Sequence, residues 1–302
     1  MRGAQISKLV STENSQAVLD EVKTIVFMVF PKFDLGPVNR VFRDVVKLFR
    51  GEYPGYQKCN TVYHDLKHAT DTMLAMIKLI HGAILRGETL CPKNVTLGLI
   101  TSLLHDIGYI QTLDDESGTG AKYTLVHTRR SIKFIDKYFA EKNFSREDFK
   151  NCRDILYCTN LNTRINEIRF KSGEIELLGK MLGTADLLGQ MADRTYLEKL
   201  LFLFYEFREG NVADYTSELD LLKKTLGFYD MVKKRLAGEL GSVNKYMIYH
   251  FKKRWNINRD LYKEAIEKNR NYLKYVLANH EREYRDYFRR GNYVKKLYEK
   301  GL

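Results

Sequence analysis

No stretch of this chain sustains the alternation of apolar and polar residues that a half-buried strand requires, whereas apolar residues recur at three- and four-residue spacing along most of it. That pattern restricts the fold to helices packed on helices. Only 4 prolines and 20 glycines interrupt 302 residues, so the connections should be short. The expected fold is all-α. A helical lead-in over residues 1–37 precedes a compact central domain over 38–241, and a helical extension over 242–302 packs against it. A chain of this length buries a sizeable core.

Residues 13–30 read as one amphipathic helix stopped by Pro31. Pro37 then suits the first turn of a second helix, which carries Val38, Val41, Phe42, Val45, Val46 and Phe49 on one side. GEYPGY is a loop by its Gly and Pro. A third helix, expected from Thr61 to Leu85, contains NTVYHDLKHATDT (60–72). His64 and His68 stand four residues apart there, which on a helix puts both imidazoles on one face with Asp71 nearby. The next helix opens at Pro92 and delivers His105 and Asp106 at its C-terminal end, with Gly108 placed to stop it. Thr124 could cap a helix that holds His127 in its first turn. Further helices read at 145–160, 174–191, 192–209 and 214–237; the second of these carries Asp186.

Neutral imidazoles and carboxylates are the ligands of a transition-metal or magnesium site that acts on a phosphoester. His68, His105, Asp106 and Asp186 offer two nitrogens and two oxygens from three helices. A carboxylate can bridge two cations, and Asp106, beside a histidine at a helix end, is the natural candidate. His127 could hold a second cation or a phosphate oxygen. Two cations would generate a hydroxide near neutral pH, and His64 could give a proton to the departing oxygen. Asp71 is as readily an ordinary helix carboxylate as a partner of a ligand. His81, His250 and His280 read as surface or satisfied core, Asp114, Asp115 and Glu116 as solvated, and Cys152 and Cys158 as packing.

The 4 cysteines form no C-x-x-C pair, so neither a thiolate zinc site nor a disulfide framework is indicated, which suits a reducing cytoplasm. No apolar run is long enough to span a bilayer and no cleavable leader is legible, so a cytoplasmic location is expected. Residues 242–302 hold 16 Lys and Arg against 7 Asp and Glu, nine of the twelve net positive charges. With Tyr and Phe so frequent there, helix packing with a wet charged face is favoured over a nucleic-acid site. A homo-oligomer is left open.

These segments together resemble the HD-domain metal-dependent phosphohydrolases, and within them the class I cyclic-nucleotide phosphodiesterase catalytic domain. YHDLKHATD (63–71) is similar to that family's YHN-x-x-HA-x-D helix, which implies a proton donor at His64 and a metal ligand at His68. LLHDIG resembles the HD signature and implies ligands at His105 and Asp106; TADLLG resembles the later CADL-type segment and implies a ligand at Asp186. LFYEFREGN and LGFYDMVKKRL are similar to the two segments that follow. The resemblance spans roughly Val38 to Leu240. It departs in three places: Tyr109 and Ile110 replace a His and a Pro, and His127 stands alone where the family has a His pair. Thr225, near Phe228 in the implied base pocket, replaces the purine-clamping glutamine.

The implied function is hydrolysis of a nucleotide or cyclic-nucleotide phosphodiester at a centre of two divalent cations drawn from Zn, Mn, Fe and Mg. The alternatives are a nucleotide phosphomonoesterase and a non-catalytic nucleotide-binding module on the same fold. Thr225 has one hydroxyl where Gln offers a donor and an acceptor, so weak discrimination between purines is expected.

Overall fold

The computed structural model describes residues 5–299 and 301. Its regular structure is helical throughout, and among the described residues the only strand-like pairing is an isolated bridge between Tyr56 and Thr112. The chain begins with a single turn, α1 (Ile6–Leu9), then α2 (Ser15–Val29), capped by Asn14, whose side chain accepts from the amides of Gln16 and Ala17. Helix α3 (Gly36–Arg50) has Pro37 in its first turn and stops at Gly51, whose φ of 75° is the left-handed conformation glycine adopts at least cost.

Helix α4 (Leu66–Leu85) is the axis of the molecule. Every residue from His68 to Ala83 is buried, and α2, α5 (Pro92–Leu104), α8 (Gly173–Met191) and α11 (Met247–Trp255) pack around it. It is therefore wrapped on all sides and not amphipathic, and its polar residues must find partners inside. It also starts later than its sequence suggests. Asp65 is the cap, its side chain accepting from the His68 amide at 2.8 Å, and residues 61–65 are irregular. Asp caps a helix more readily than it continues one. His64 is consequently off the helix, and the expected stacking of His64 and His68 on one helical face does not occur.

Helix α5 (Pro92–Leu104) ends at His105, and Gly108 sits in a following 3-10 turn (Ile107–Tyr109). Gly108 does not terminate α5 as a left-handed cap. A Cβ on it would lie 2.0 Å from the carbonyl oxygen of His127, so glycine here lets α6 (His127–Glu141) dock end-on against this turn. Ser131 fastens the contact: its hydroxyl donates to the His105 carbonyl at 2.7 Å and accepts from the Gly108 amide at 2.9 Å. Thr124 does not cap α6; its hydroxyl donates to the Ala121 carbonyl and its own carbonyl serves His127. Asp115 is not simply solvated either, since Lys122 and Tyr123 both bond it, while Asp114 and Glu116 are exposed.

Helices α7 (Arg146–Tyr157), α8 (Gly173–Met191), α9 (Tyr196–Glu209) and α10 (Glu218–Ala237) follow. Cys152 and Cys158 are wholly buried. Two hydrophobic clusters meet along α8: Leu178, Leu182 and Ala185 belong to the first, and Leu187 and Met191 to the second. The C-terminal residues fold as α11 (Met247–Trp255), α12 (Leu261–Asn279) and the short α13 (Tyr284–Tyr287) and α14 (Tyr293–Glu299). Only α12 is long. The chain breaks after α11 because Asn256 adopts a left-handed φ of 53°. Met247 and Phe251 enter the first cluster and Leu273, Val276, Phe288 and Leu297 the second.

His81 and His250 are buried and face each other, Nδ1 to Nδ1, at 3.2 Å; burial pulls the His81 imidazole down to about 4, holding it neutral. Phe288 is completely enclosed beside the rings of Tyr272 and Tyr284. Phe288→Ala should therefore lower unfolding free energy by about 3–5 kcal/mol, read as a reduced denaturant midpoint at unchanged slope. A loss well below about 1 kcal/mol would show that this segment does not help to hold the second cluster.

Candidate metal centre

His105 is positioned by the end of α5. Its Nδ1 donates to the Ser102 carbonyl at 2.8 Å, which fixes the tautomer and leaves Nε2 with a lone pair. That Nε2 lies 3.0 Å from Nε2 of His68, reaching in from the first turn of α4. Asp106 Oδ2 is 3.2 Å from both nitrogens. His68, His105 and Asp106 are all buried, and one ligand atom from each lies within 4.8 Å of the others, so the group could hold a metal ion. Asp186 comes from α8 where that helix passes between the two clusters; its Oδ1 is 3.1 Å from His68 Nε2 and 3.6 Å from His105 Nε2.

The chemistry of this donor set fits a cation. Ligand atoms about 2.0–2.2 Å from a common centre stand roughly 2.8–3.6 Å apart along the edges of an octahedron or tetrahedron, and the separations here fall within that range. Protons compete for the same space. Burial alone would pull the His68 and His105 imidazoles down, but Asp106 and Asp186 outweigh it and hold both above the usual histidine range. Burial likewise pushes Asp106 up, and the His105 and His68 imidazoles reverse that, holding it well below the usual carboxylate range.

His127 opens α6, with Nδ1 donating to the Thr124 carbonyl at 2.7 Å and Nε2 3.7 Å from the second oxygen of Asp106. Burial depresses its pKa, against the pull of Asp106, which favours a neutral ring, and the Thr128 hydroxyl stands 3.3 Å from its Nε2. Asp106 thus turns one oxygen to His68 and His105 and the other towards His127.

His64 stands at the edge of this group and is not part of it. Its ring centroid is 6.2 Å from that of His68, and Nδ1 is 2.9 Å from Glu206 Oε2 on α9. The other oxygen of Glu206 accepts from the amides of Val62 and Tyr63, both at 2.7 Å, so a single buried carboxylate shapes the loop and holds the imidazole. Tyr109 stacks between His64 at 4.2 Å and His127 at 4.6 Å. Asp71 faces away from the cluster: Lys67 Nζ bonds its Oδ2 at 2.6 Å, and burial raises its pKa to about 6 despite that lysine. Thr225 and Phe228 lie on α10, where the Thr225 hydroxyl donates to the Leu221 carbonyl at 2.8 Å and has no proton left for a base.

Two residues of the site, Glu206 and Gln190, are absent from the candidates that the sequence offers. Glu206 is 142 positions from His64, and no local spacing links them. Gln190 was within reach: it is one helical turn beyond Asp186, donates to Asp186 Oδ1 at 2.6 Å, and accepts from the Tyr63 hydroxyl at 3.0 Å.

A family model described as Npun_R2479-like matches residues 51–239, a span that includes every residue of the cluster together with His64, Glu206 and Gln190. No curated protein matches the chain. No helix among the described residues is long and apolar enough to cross a membrane.

Proposed function

The chain belongs to the Npun_R2479-like family, and for this member we propose metal-dependent hydrolysis of a phosphoester, a nucleotide or cyclic-nucleotide phosphodiester in the first instance. The observation that carries this reading is the convergence of two imidazole nitrogens and two carboxylates at 3.0–3.6 Å, with a third histidine on the far oxygen of Asp106. The resemblance of the motif set to the HD-domain phosphohydrolases supports it independently.

His68, His105, Asp106 and Asp186 would hold one divalent cation, and Asp106 with His127 a second. Bound there, the cations supply positive charge that polarises the ester and makes water a better nucleophile. The protein's own groups do the rest. The Ser102 carbonyl orients the His105 imidazole through Nδ1, and Gln190 holds Asp186 in place. Glu206 occupies Nδ1 of His64, so Nε2 is the nitrogen left to give a proton to the departing oxygen. Tyr109 keeps the His64 ring from turning by stacking on it.

The test is metal analysis of protein purified without added metal, then turnover of a nucleotide and phosphodiester panel with Mn²⁺ or Mg²⁺. Stoichiometric first-row metal and turnover abolished by chelator are the expected results. Metal-free protein that hydrolyses nothing after reloading would leave a binding module on this fold as the better reading. A preference for monoesters over diesters would place the activity among the nucleotide phosphomonoesterases.

A further inference from the structure

Three of the four histidines around the centre have an acceptor at Nδ1: the Ser102 carbonyl for His105 at 2.8 Å, the Thr124 carbonyl for His127 at 2.7 Å and Glu206 for His64 at 2.9 Å. His68 has none. Its Nδ1 is buried and, among the described residues, without a hydrogen-bond partner. Its Nε2 meanwhile faces Asp186 Oδ1 at 3.1 Å and Asp106 Oδ2 at 3.2 Å, acceptors that draw the ring's proton onto the nitrogen a cation would need. Nothing at Nδ1 prepares His68 for metal, so the choice of tautomer must be made at the other nitrogen.

Gln190 stands there. Gly189 lets α8 lie close against α4, since a Cβ on it would come within 3.3 Å of the Thr72 amide, and the next side chain reaches the His68 turn. Gln190 Oε1 accepts the Tyr63 hydroxyl at 3.0 Å, which turns the NH₂ end inward. Nε2 then lies 2.6 Å from Asp186 Oδ1 and 3.3 Å from His68 Nε2. An amide nitrogen donates and does not accept. It therefore suits an ionised Asp186 oxygen and a lone pair on His68 Nε2, and it opposes a proton on either atom. Tyr63 is itself fixed: it is buried, and its backbone amide donates to Glu206 Oε1 at 2.7 Å. One tyrosine thus ties the Glu206–His64 pair to the metal-facing side.

We propose that Gln190 and Tyr63 are positioning residues that hold His68 in the tautomer with its lone pair on Nε2 and so keep the site ready for a cation. The inference rests on the metal reading above and adds no ligand to it. The two residues act in series: without the hydroxyl the amide is free to turn, and without the amide the hydroxyl has nothing to orient.

Mn²⁺ titration of chelator-stripped protein, with free Mn²⁺ read by electron paramagnetic resonance, tests this without turnover. Gln190→Met keeps the length of the side chain and removes its donor, so the Kd for Mn²⁺ should rise about 10–100-fold, the usual cost of deleting an outer partner of a metal ligand. Tyr63→Phe should raise it about three- to tenfold, the worth of one neutral hydrogen bond. The double variant should bind no more weakly than Gln190→Met alone, because the two form one unit. The gain in melting temperature on adding Mn²⁺ should shrink in both variants, while the stripped proteins melt close to stripped wild type. Nitrogen-15 NMR of stripped protein, in alkaline solution where the ring is neutral, should place the His68 proton on Nδ1 in the wild type and on Nε2 in Gln190→Met. A Gln190→Met protein that binds Mn²⁺ like wild type overturns the proposal and leaves the metal centre standing. So does a variant whose stripped form melts early while its Kd is unchanged, since that is a packing defect. Wild-type protein that takes up no Mn²⁺ would remove the metal centre, and this inference with it.

Discussion

Asp106→Ala should cost the protein most of its bound metal and reduce phosphodiester turnover by about a thousandfold or more, since the cations are proposed to supply several kcal/mol of transition-state stabilisation. Asp106 is the residue that touches everything: Oδ2 is 3.2 Å from both His68 and His105, and Oδ1 faces His127 at 3.7 Å. Asp186 contacts only the first pair of nitrogens, at 3.1 and 3.6 Å. Metal content should therefore fall further in Asp106→Ala than in Asp186→Ala, and equal losses would argue for a single cation. Because the ligands come from α4, α5 and α8, the cation cross-links the core, and chelation should lower the melting temperature of the wild type but not of Asp106→Ala. The pH dependence has a definite sign. His68 and His105 bind protons more tightly than a free imidazole, and a cation must displace those protons, so apparent metal affinity should fall as pH falls. An Asp106→Ala protein with full metal and full activity would dispose of the centre altogether.

How much of this was written in the sequence depends on how far each interaction reaches along the chain. The order of the helices was legible because each stripe of apolar residues is local, and α2, α3 and α8 fall within a residue or two of their expected ends. His105 and Asp106 were legible as a pair because they share one helix end. The fate of His64 was not, because two features that look alike in sequence compete at residues 61–65. Helical periodicity runs through them, yet Asp65 caps α4 and Glu206, arriving from α9, takes the amides of Val62 and Tyr63 that a helix would have left unsatisfied at its start. The polar interior of α4 was likewise hidden. Lys78 looks like a surface lysine in sequence, but its Nζ meets the Tyr262 hydroxyl at 3.3 Å, and burial lowers its pKa to about 8. That partner lies 184 residues away in the basic C-terminal stretch, where composition alone suggested a wet face. The break at Asn256 was in principle readable, since Asn tolerates the left-handed conformation better than most residues.

His64→Ala should separate proton donation from metal binding. The variant should keep its metal, because the ring is held by Glu206 and Tyr109 and contributes no ligand atom to the cluster. On a ribose or alkyl phosphodiester, whose departing alkoxide needs a proton in the transition state, it should lose about 10²–10⁴-fold in turnover. On bis(4-nitrophenyl) phosphate it should lose much less, because nitrophenolate leaves without one. His68→Ala, by contrast, should lose metal and both activities together. Glu206→Gln should act through His64: an oxygen remains for the Val62 and Tyr63 amides, while the charged partner of Nδ1 is gone. Its penalty should appear on the alkyl ester and be largely absent when His64 is already Ala, since two residues that act as one unit do not add. A His64→Ala protein impaired equally on both esters, or stripped of metal as His68→Ala is, would make His64 a ligand and require the proton to come from elsewhere.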